Sequence, residues 1–225
     1  MNGVIQDWEP YYRATADSPV RPLCLEAIAA AGGPRDRPTA DVATHAAVVT
    51  STDPAADPAA DLAVDLAVDL GAGAGRESAA LLDAGWRVLA LDGAPGAHLR
   101  IQAAVPPARR NRLTVVEQSF GALDGLPAAG LIYAGYALPF QRPEVFTRTW
   151  GMIRAALRPG GILAVNLFGP RDTWASDPEL TTHTPAEARA LLDGLEILAM
   201  REEERDGNAV SGPKHWHVLD LVARA

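Results

Sequence analysis

From residue 62 onward the chain alternates between short apolar runs and longer stretches whose apolar residues recur at helical spacing. This is the pattern of strands joined by crossover helices around a parallel sheet. The runs predict strands over 64–70, 86–91, 113–117, 130–133 and 162–168, with helices over 77–83, 95–104 and 144–157 between most of them. After a helix over 185–192, two further runs, 195–203 and 215–223, flank the turn-rich DGNAVSG and are expected to pair as an antiparallel hairpin. The predicted fold class is α/β: a doubly wound, Rossmann-like, mainly parallel sheet with a C-terminal antiparallel hairpin at one edge.

Ahead of that region the pattern changes. Residues 1–33 hold an aromatic stretch and a helix over 22–31 that stops at Gly32 and Gly33, which together read as a lid segment. Residues 34–61 are rich in Pro, Ala and Asp with few large apolar groups, and read as a flexible connection. Its DPAADPAADLAVDLAVDL run repeats every four residues, too short a unit for a solenoid. Residues 62–225 form the main domain.

Composition narrows the function classes. A net charge of -8 over 225 residues gives no general affinity for a polyanionic backbone, so no nucleic-acid partner is expected. Cys24 is the only cysteine, which excludes an intrachain disulfide and a cysteine zinc cluster. No run of eighteen apolar residues occurs and the N-terminus lacks a basic stretch followed by an apolar one, so a cytoplasmic protein with no membrane partner is expected.

The strongest chemical signal is Asp69-Leu-Gly-Ala-Gly-Ala-Gly75, placed where a strand ends and a helix begins. Alternating glycines there let the backbone turn sharply and approach a ligand without intervening side chains. One crossover later, Asp92 closes a strand and places a carboxylate where it can accept hydrogen bonds from two ribose hydroxyls. A nicotinamide dinucleotide pattern has two residues between its second and third glycines, whereas here only Ala74 separates Gly73 from Gly75. The leading Asp69 suits the ammonium of the amino-acid tail of S-adenosylmethionine.

The strings VDLGAGAGRES, VLALDGAP and LRPGGILAV are similar to the successive motifs of the class I S-adenosylmethionine-dependent methyltransferases. LIYAGYALPF, LFGPRDTWA and KHWHVLDLVAR resemble a narrower branch, the small methyltransferases related to tellurite-resistance proteins. The resemblance implies that Asp69, Gly71, Gly73 and Gly75 lie beside the methionine part of the cofactor and that Asp92, with Gly93, holds the ribose. Where the family often has an acid for the adenine amine, this chain offers Ser119 and Phe120. The implied reaction is methyl transfer to a small-molecule acceptor, an oxygen, nitrogen, sulfur or metalloid nucleophile, with S-adenosylhomocysteine as product. A non-catalytic S-adenosylmethionine-binding protein and a nicotinamide-dependent oxidoreductase are the alternatives.

Methyl transfer needs a nucleophile held close to the sulfonium methyl with water excluded, and a general base only for acceptors that must lose a proton. Tyr133 and Tyr136 follow the fourth strand and are expected to face the methyl, with Tyr136 the leading catalytic candidate. Phe168 and Trp174, after the fifth strand, are candidates for a further acceptor wall, and Tyr11 and Tyr12 for the covering lid. His215 and His217 lie on one strand face, His217 as a candidate base and His215 as an acceptor contact. With no carboxylate or cysteine at useful spacing, no metal site is expected. Arg76 opens the helix after the glycine turn and is either an anion contact or an exposed first-turn residue.

Overall fold

The computed structural model describes residues 8–15, 17–32 and 65–225. The predicted connection over 34–61 lies outside these residues, as does the start of the predicted first strand.

Among the described residues, seven strands form one sheet in the order β3-β2-β1-β4-β5-β7-β6. They are β1 Leu66–Leu70, β2 Arg87–Asp92, β3 Leu113–Glu117, β4 Ala129–Ala134, β5 Leu157–Phe168, β6 Glu196–Ala209 and β7 Gly212–Arg224. The first five pair in parallel, and β7 inserts antiparallel between β5 and β6. The helices are α1 Glu9–Thr15, α2 Pro22–Ala31, α3 Arg76–Asp83, α4 Ala97–Ala104, α5 Pro143–Ala156 and α6 Pro185–Leu191.

Both faces of the central strands are buried, which is why they read as continuous apolar runs. Successive residues point to opposite sides: Leu163, Val165 and Leu167 pack with Phe146, Trp150 and Ile153 of α5, while Ile162 and Ala164 pack with α2, α3 and α4 through Cys24, Leu81 and Ile101. The N-terminal helix α2 therefore contributes Leu23, Cys24 and Ala27 to the core itself. The Arg158-Pro-Gly-Gly161 stretch leaves the ladder, since Ala129 pairs with Leu157 and Leu131 with Ile162, and Gly160 takes the left-handed conformation.

The hairpin is longer than its composition predicts. Pairing continues from Asp206 opposite His215 to Ala209 opposite Gly212, so most of DGNAVSG is strand rather than turn. Among the described residues, no helix is long and apolar enough to cross a membrane. Strand order reverses between β1 and β4, and a crevice opens beyond the C-terminal ends of the strands at such a point.

Candidate functional site

The turn after β1 is built by backbone requirement. Gly71, Gly73 and Gly75 have φ of 74°, 55° and 82°, in the left-handed region that costs other residues about 1–2 kcal/mol. A Cβ on Gly71 would lie 2.4 Å from Ala137 Cβ, and one on Gly75 would lie 2.8 Å from Ile101 Cα. The turn thus packs against the segment after β4 on one side and α4 on the other. Gly71 and Ala72 donate their amides to Leu91 O at 2.7 and 3.0 Å, locking it to β2.

Two carboxylates flank this turn. Asp92, at the end of β2, accepts from Gly73 N at 2.7 Å, Ala94 N at 2.9 Å and the Tyr12 hydroxyl at 3.3 Å. Asp69 is buried and accepts from Ser78 Oγ at 2.6 Å; burial pushes its carboxyl up to about 7. Gly93 permits the β2 and β3 ends to close, because a Cβ there would meet Ser119 Cα at 2.8 Å.

Facing them are the segment after β4 and α1. Tyr133 is buried, and its hydroxyl has no hydrogen-bond partner among the described residues. Tyr136 has φ of 51°, the only non-glycine residue with positive φ among those described, and such strain persists where packing holds it. Burial pushes the Tyr136 hydroxyl up to about 12, and the Arg21 guanidinium lies 5.4 Å from its ring centroid. Arg21 donates to Glu77 Oε1 at 2.9 Å and to the Tyr11 hydroxyl. Arg76 donates to the same Glu77 oxygen at 2.8 Å and to Thr15 O at 3.1 Å. Together these residues enclose a cavity of about 690 Å³, with α1 along one side.

Asp69, Gly71, Gly73, Asp92, Gly93, Ser119, Phe120, Tyr133, Tyr136, Tyr11 and Tyr12 all line this cavity. Gly75 does not line it; it sets the backbone that starts α3. Phe168 and Trp174 stand behind the wall, Phe168 at 6.2 Å from Tyr136 and 5.4 Å from Phe140, and Trp174 at 5.9 Å from Phe140. Arg76 lines the cavity but its side chain is only 13% exposed, committed to Glu77 and the chain end of α1. The sequence gives no local signal for Arg21, Glu77 or Gln141, which also line it.

The two histidines lie elsewhere, on the sheet face that β7 shares with Glu202, Glu204 and Asp206 of the paired strand β6. His217 is buried, accepts from Arg171 N at Nδ1 (3.1 Å) and has Nε2 2.8 Å from Glu202 Oε1. His215 lies between Asp206 and Glu204. Neither is among the residues that line the cavity, where base and acceptor-contact positions were anticipated for them. The expectation that these histidines lack acidic neighbours is also corrected, since Glu202, Glu204 and His217 converge within 4.8 Å. Arg171 donates to both glutamates, and because His217 Nδ1 accepts a hydrogen bond, Nε2 carries the proton and faces Glu202 as a donor.

No protein-family profile matches the chain, and no curated protein matches it in sequence. Solved structures do. TehB from Haemophilus influenzae superposes with a TM-score of 0.59 at 16% identity, over 71% of this chain and 57% of TehB, so the chain spans a little over half of that protein. The 1,6-didemethyltoxoflavin-N1-methyltransferase of Burkholderia thailandensis, with bound 1,6-didemethyltoxoflavin and S-adenosylhomocysteine, superposes at 0.54 and 23% identity, over 74% of this chain and 76% of that one. The N-methyltransferase NodS of Bradyrhizobium japonicum, in complex with S-adenosylhomocysteine, does so at 0.54 and 16% identity, over 74% and 83%. The fold is that of the class I S-adenosylmethionine-dependent methyltransferases.

Proposed function

We propose that this chain transfers a methyl group from S-adenosylmethionine to a small-molecule acceptor and releases S-adenosylhomocysteine. The observation that carries the reading is one cavity in which the glycine turn and Asp92 face Tyr133, Tyr136 and the aromatic residues of α1. The donor set fits the cofactor. Asp92 supplies carboxylate oxygens for ribose hydroxyls, Asp69 an acid for the ammonium, and Ser119 and Phe120 a hydroxyl and an aromatic face for adenine. The buried, unpartnered Tyr133 hydroxyl is a polar group left for a ligand. When bound, the cofactor supplies an electrophilic methyl on a sulfonium. The chain's own task is to position a nucleophile and exclude water, and α1 and Tyr136 are placed for both.

The test is transfer of an isotopically labelled methyl from S-adenosylmethionine across a panel of small acceptors. Labelled product supports the reading; tight cofactor binding with no turnover on any acceptor favours a non-catalytic binding protein.

Asp69 provides a separate prediction. Its folded pKa of about 7 lies above the ordinary 3.8, so the folded state holds more protons between those values. Stability of the ligand-free chain therefore falls as pH rises from about 4 to about 7 through this group. An ammonium beside Asp69 favours the ionised form, so cofactor binding near pH 6.5 is expected to release up to about one proton. Calorimetry in buffers of different ionisation enthalpy measures the release, and Asp69→Asn is expected to abolish it. Binding heats independent of buffer in the unaltered chain would remove Asp69 from the ammonium site.

A further inference from the structure

Resting on the methyltransferase reading, the charge on the cavity wall assigns one more part of the site. We infer that Arg21, with Arg76 beside it, holds the α-carboxylate of the cofactor's amino-acid tail, so that the chain selects S-adenosylmethionine over adenosyl ligands that lack this group.

The first observation is a surplus of positive charge. Arg21 Nη1 donates to Glu77 Oε1 at 2.9 Å, and Arg76 Nε donates to the same oxygen at 2.8 Å. The guanidiniums also donate to the Tyr11 hydroxyl and to Thr15 O, which are neutral. Two cations on one carboxylate leave an excess of one positive charge. The Arg21, Arg76 and Glu77 side chains are 21%, 13% and 6% exposed, so water offsets little of that excess. Charge held away from water is costly without a counterion, and all three residues line the cavity, from which an anion can reach them.

The second is where the surplus lies. Arg76, Glu77 and Ser78 are successive residues in the first turn of α3, and Ser78 Oγ donates to Asp69 at 2.6 Å. The excess charge is therefore next to the acid that suits the cofactor's ammonium, and the charges of Glu77 and Arg21 both reach the Asp69 carboxyl. An amino-acid tail carries its ammonium and carboxylate on one carbon, so a site for the first needs its cation for the second close by. Strand register puts Tyr133 of β4 opposite Asp69. The Tyr133 hydroxyl is buried without a hydrogen-bond partner among the described residues, and burial keeps it protonated, a donor for a carboxylate oxygen.

The third concerns the rival cation. Arg100 also lines the cavity, and its Nε and Nη2 are buried without a hydrogen-bond partner among the described residues. Its guanidinium lies 4.2 Å from the Tyr12 ring centroid, and Tyr12 donates to Asp92. Arg100 is thus at the ribose end, where the cofactor has no ionised group, and it stands 3.9 Å from the Glu9 carboxylate.

The experiment is calorimetric titration of the full chain, with no acceptor present, using S-adenosylmethionine and decarboxylated S-adenosylmethionine. The two ligands share adenosine, sulfonium and ammonium and differ in the carboxylate. The unaltered chain is expected to bind the first at least about tenfold more tightly, a comparison that needs no substitution. Arg21→Met is expected to reduce that preference to about threefold or less, and Arg76→Met, on a different element, to do the same. Arg100→Met is expected to keep it at about tenfold or more. Melting curves identify any variant that does not fold. A preference below about tenfold in the unaltered chain overturns the inference and leaves an acid group on the acceptor as the anion for this wall. A preference above about threefold in folded Arg21→Met, or one lost in Arg100→Met, overturns it as well. The two levels separate cleanly: equal binding of both ligands removes the carboxylate site and leaves the methyltransferase reading standing, whereas binding of neither removes that reading itself.

Discussion

Replacing Asp92 by alanine is expected to weaken S-adenosylmethionine binding by about 100-fold. The carboxylate is fixed by Gly73 N, Ala94 N and the Tyr12 hydroxyl, so its oxygens are oriented before any ligand arrives. Hydrogen bonds to a charged acceptor contribute about 1.5–3 kcal/mol each, and losing two to ribose hydroxyls, partly offset by water, amounts to about 2.7 kcal/mol. The same change leaves the two amides and the tyrosine hydroxyl without their acceptor, so some loss of folding stability accompanies it. Asp92→Asn separates the effects: it keeps one acceptor oxygen and is expected to lose only about tenfold in affinity. Calorimetric Kd values for the three proteins, with melting curves beside them, check this. A Kd for Asp92→Ala within about threefold of the unaltered chain would take the ribose role away from this residue.

The second large effect lies behind the cavity. Lys214 and Asp172 form a buried ion pair, their side chains 1% and 0% exposed. Lys214 Nζ stands 5.0 Å from the ring centroid of Phe168 and 4.1 Å from those of Trp174 and Trp216. Asp172 also accepts from Trp174 N at 3.0 Å and His217 N at 3.2 Å, so one carboxylate ties β7 to the loop after β5. Asp172→Ala strands a cation in an apolar site, an arrangement that typically costs about 3–5 kcal/mol. Urea denaturation is expected to show a loss of that size with an unchanged m-value. Because Phe168 and Trp216 back Tyr136, acceptor KM is expected to rise as well. Asp172→Asn combined with Lys214→Met removes both charges, keeps an acceptor oxygen for one of the two amides, and is expected to regain much of the stability. A loss below about 1 kcal/mol for the single alanine variant would mean that Lys214 reaches solvent or another anion.

These two sites differ in how far they can be read along the chain. The cofactor half is legible because its parts are local: a strand end, glycines at alternate positions, and an acid at the end of the next strand. The sheet is legible for the same reason, since runs buried on both faces stand out from helices with one apolar stripe. Arg21 meets Glu77 across 56 residues, Asp172 meets Lys214 across 42, and His217 meets Glu202 across 15. Each of those meetings depends on strand register and helix packing that no local pattern encodes. Period-two alternation correctly places His215 and His217 on one face of β7. It cannot say that this face is the one carrying the acids of β6. Register likewise explains the long hairpin, where ladder pairing carries Asp206 to Ala209 as strand despite turn-rich composition. The aromatic residues of α1 are visible as a helical face, while the Tyr12–Asp92 hydrogen bond spans 80 residues and appears only in the folded chain.

The most direct test of the central claim is calorimetric titration of the full chain with S-adenosylmethionine, S-adenosylhomocysteine, and oxidised and reduced nicotinamide dinucleotides. The cavity described here predicts saturable one-to-one binding of both adenosyl ligands and none of the dinucleotides, because the turn from Gly71 to Gly75 carries the glycine spacing of the first class and not of the second. Binding of a nicotinamide cofactor with no response to either adenosyl ligand would contradict the account.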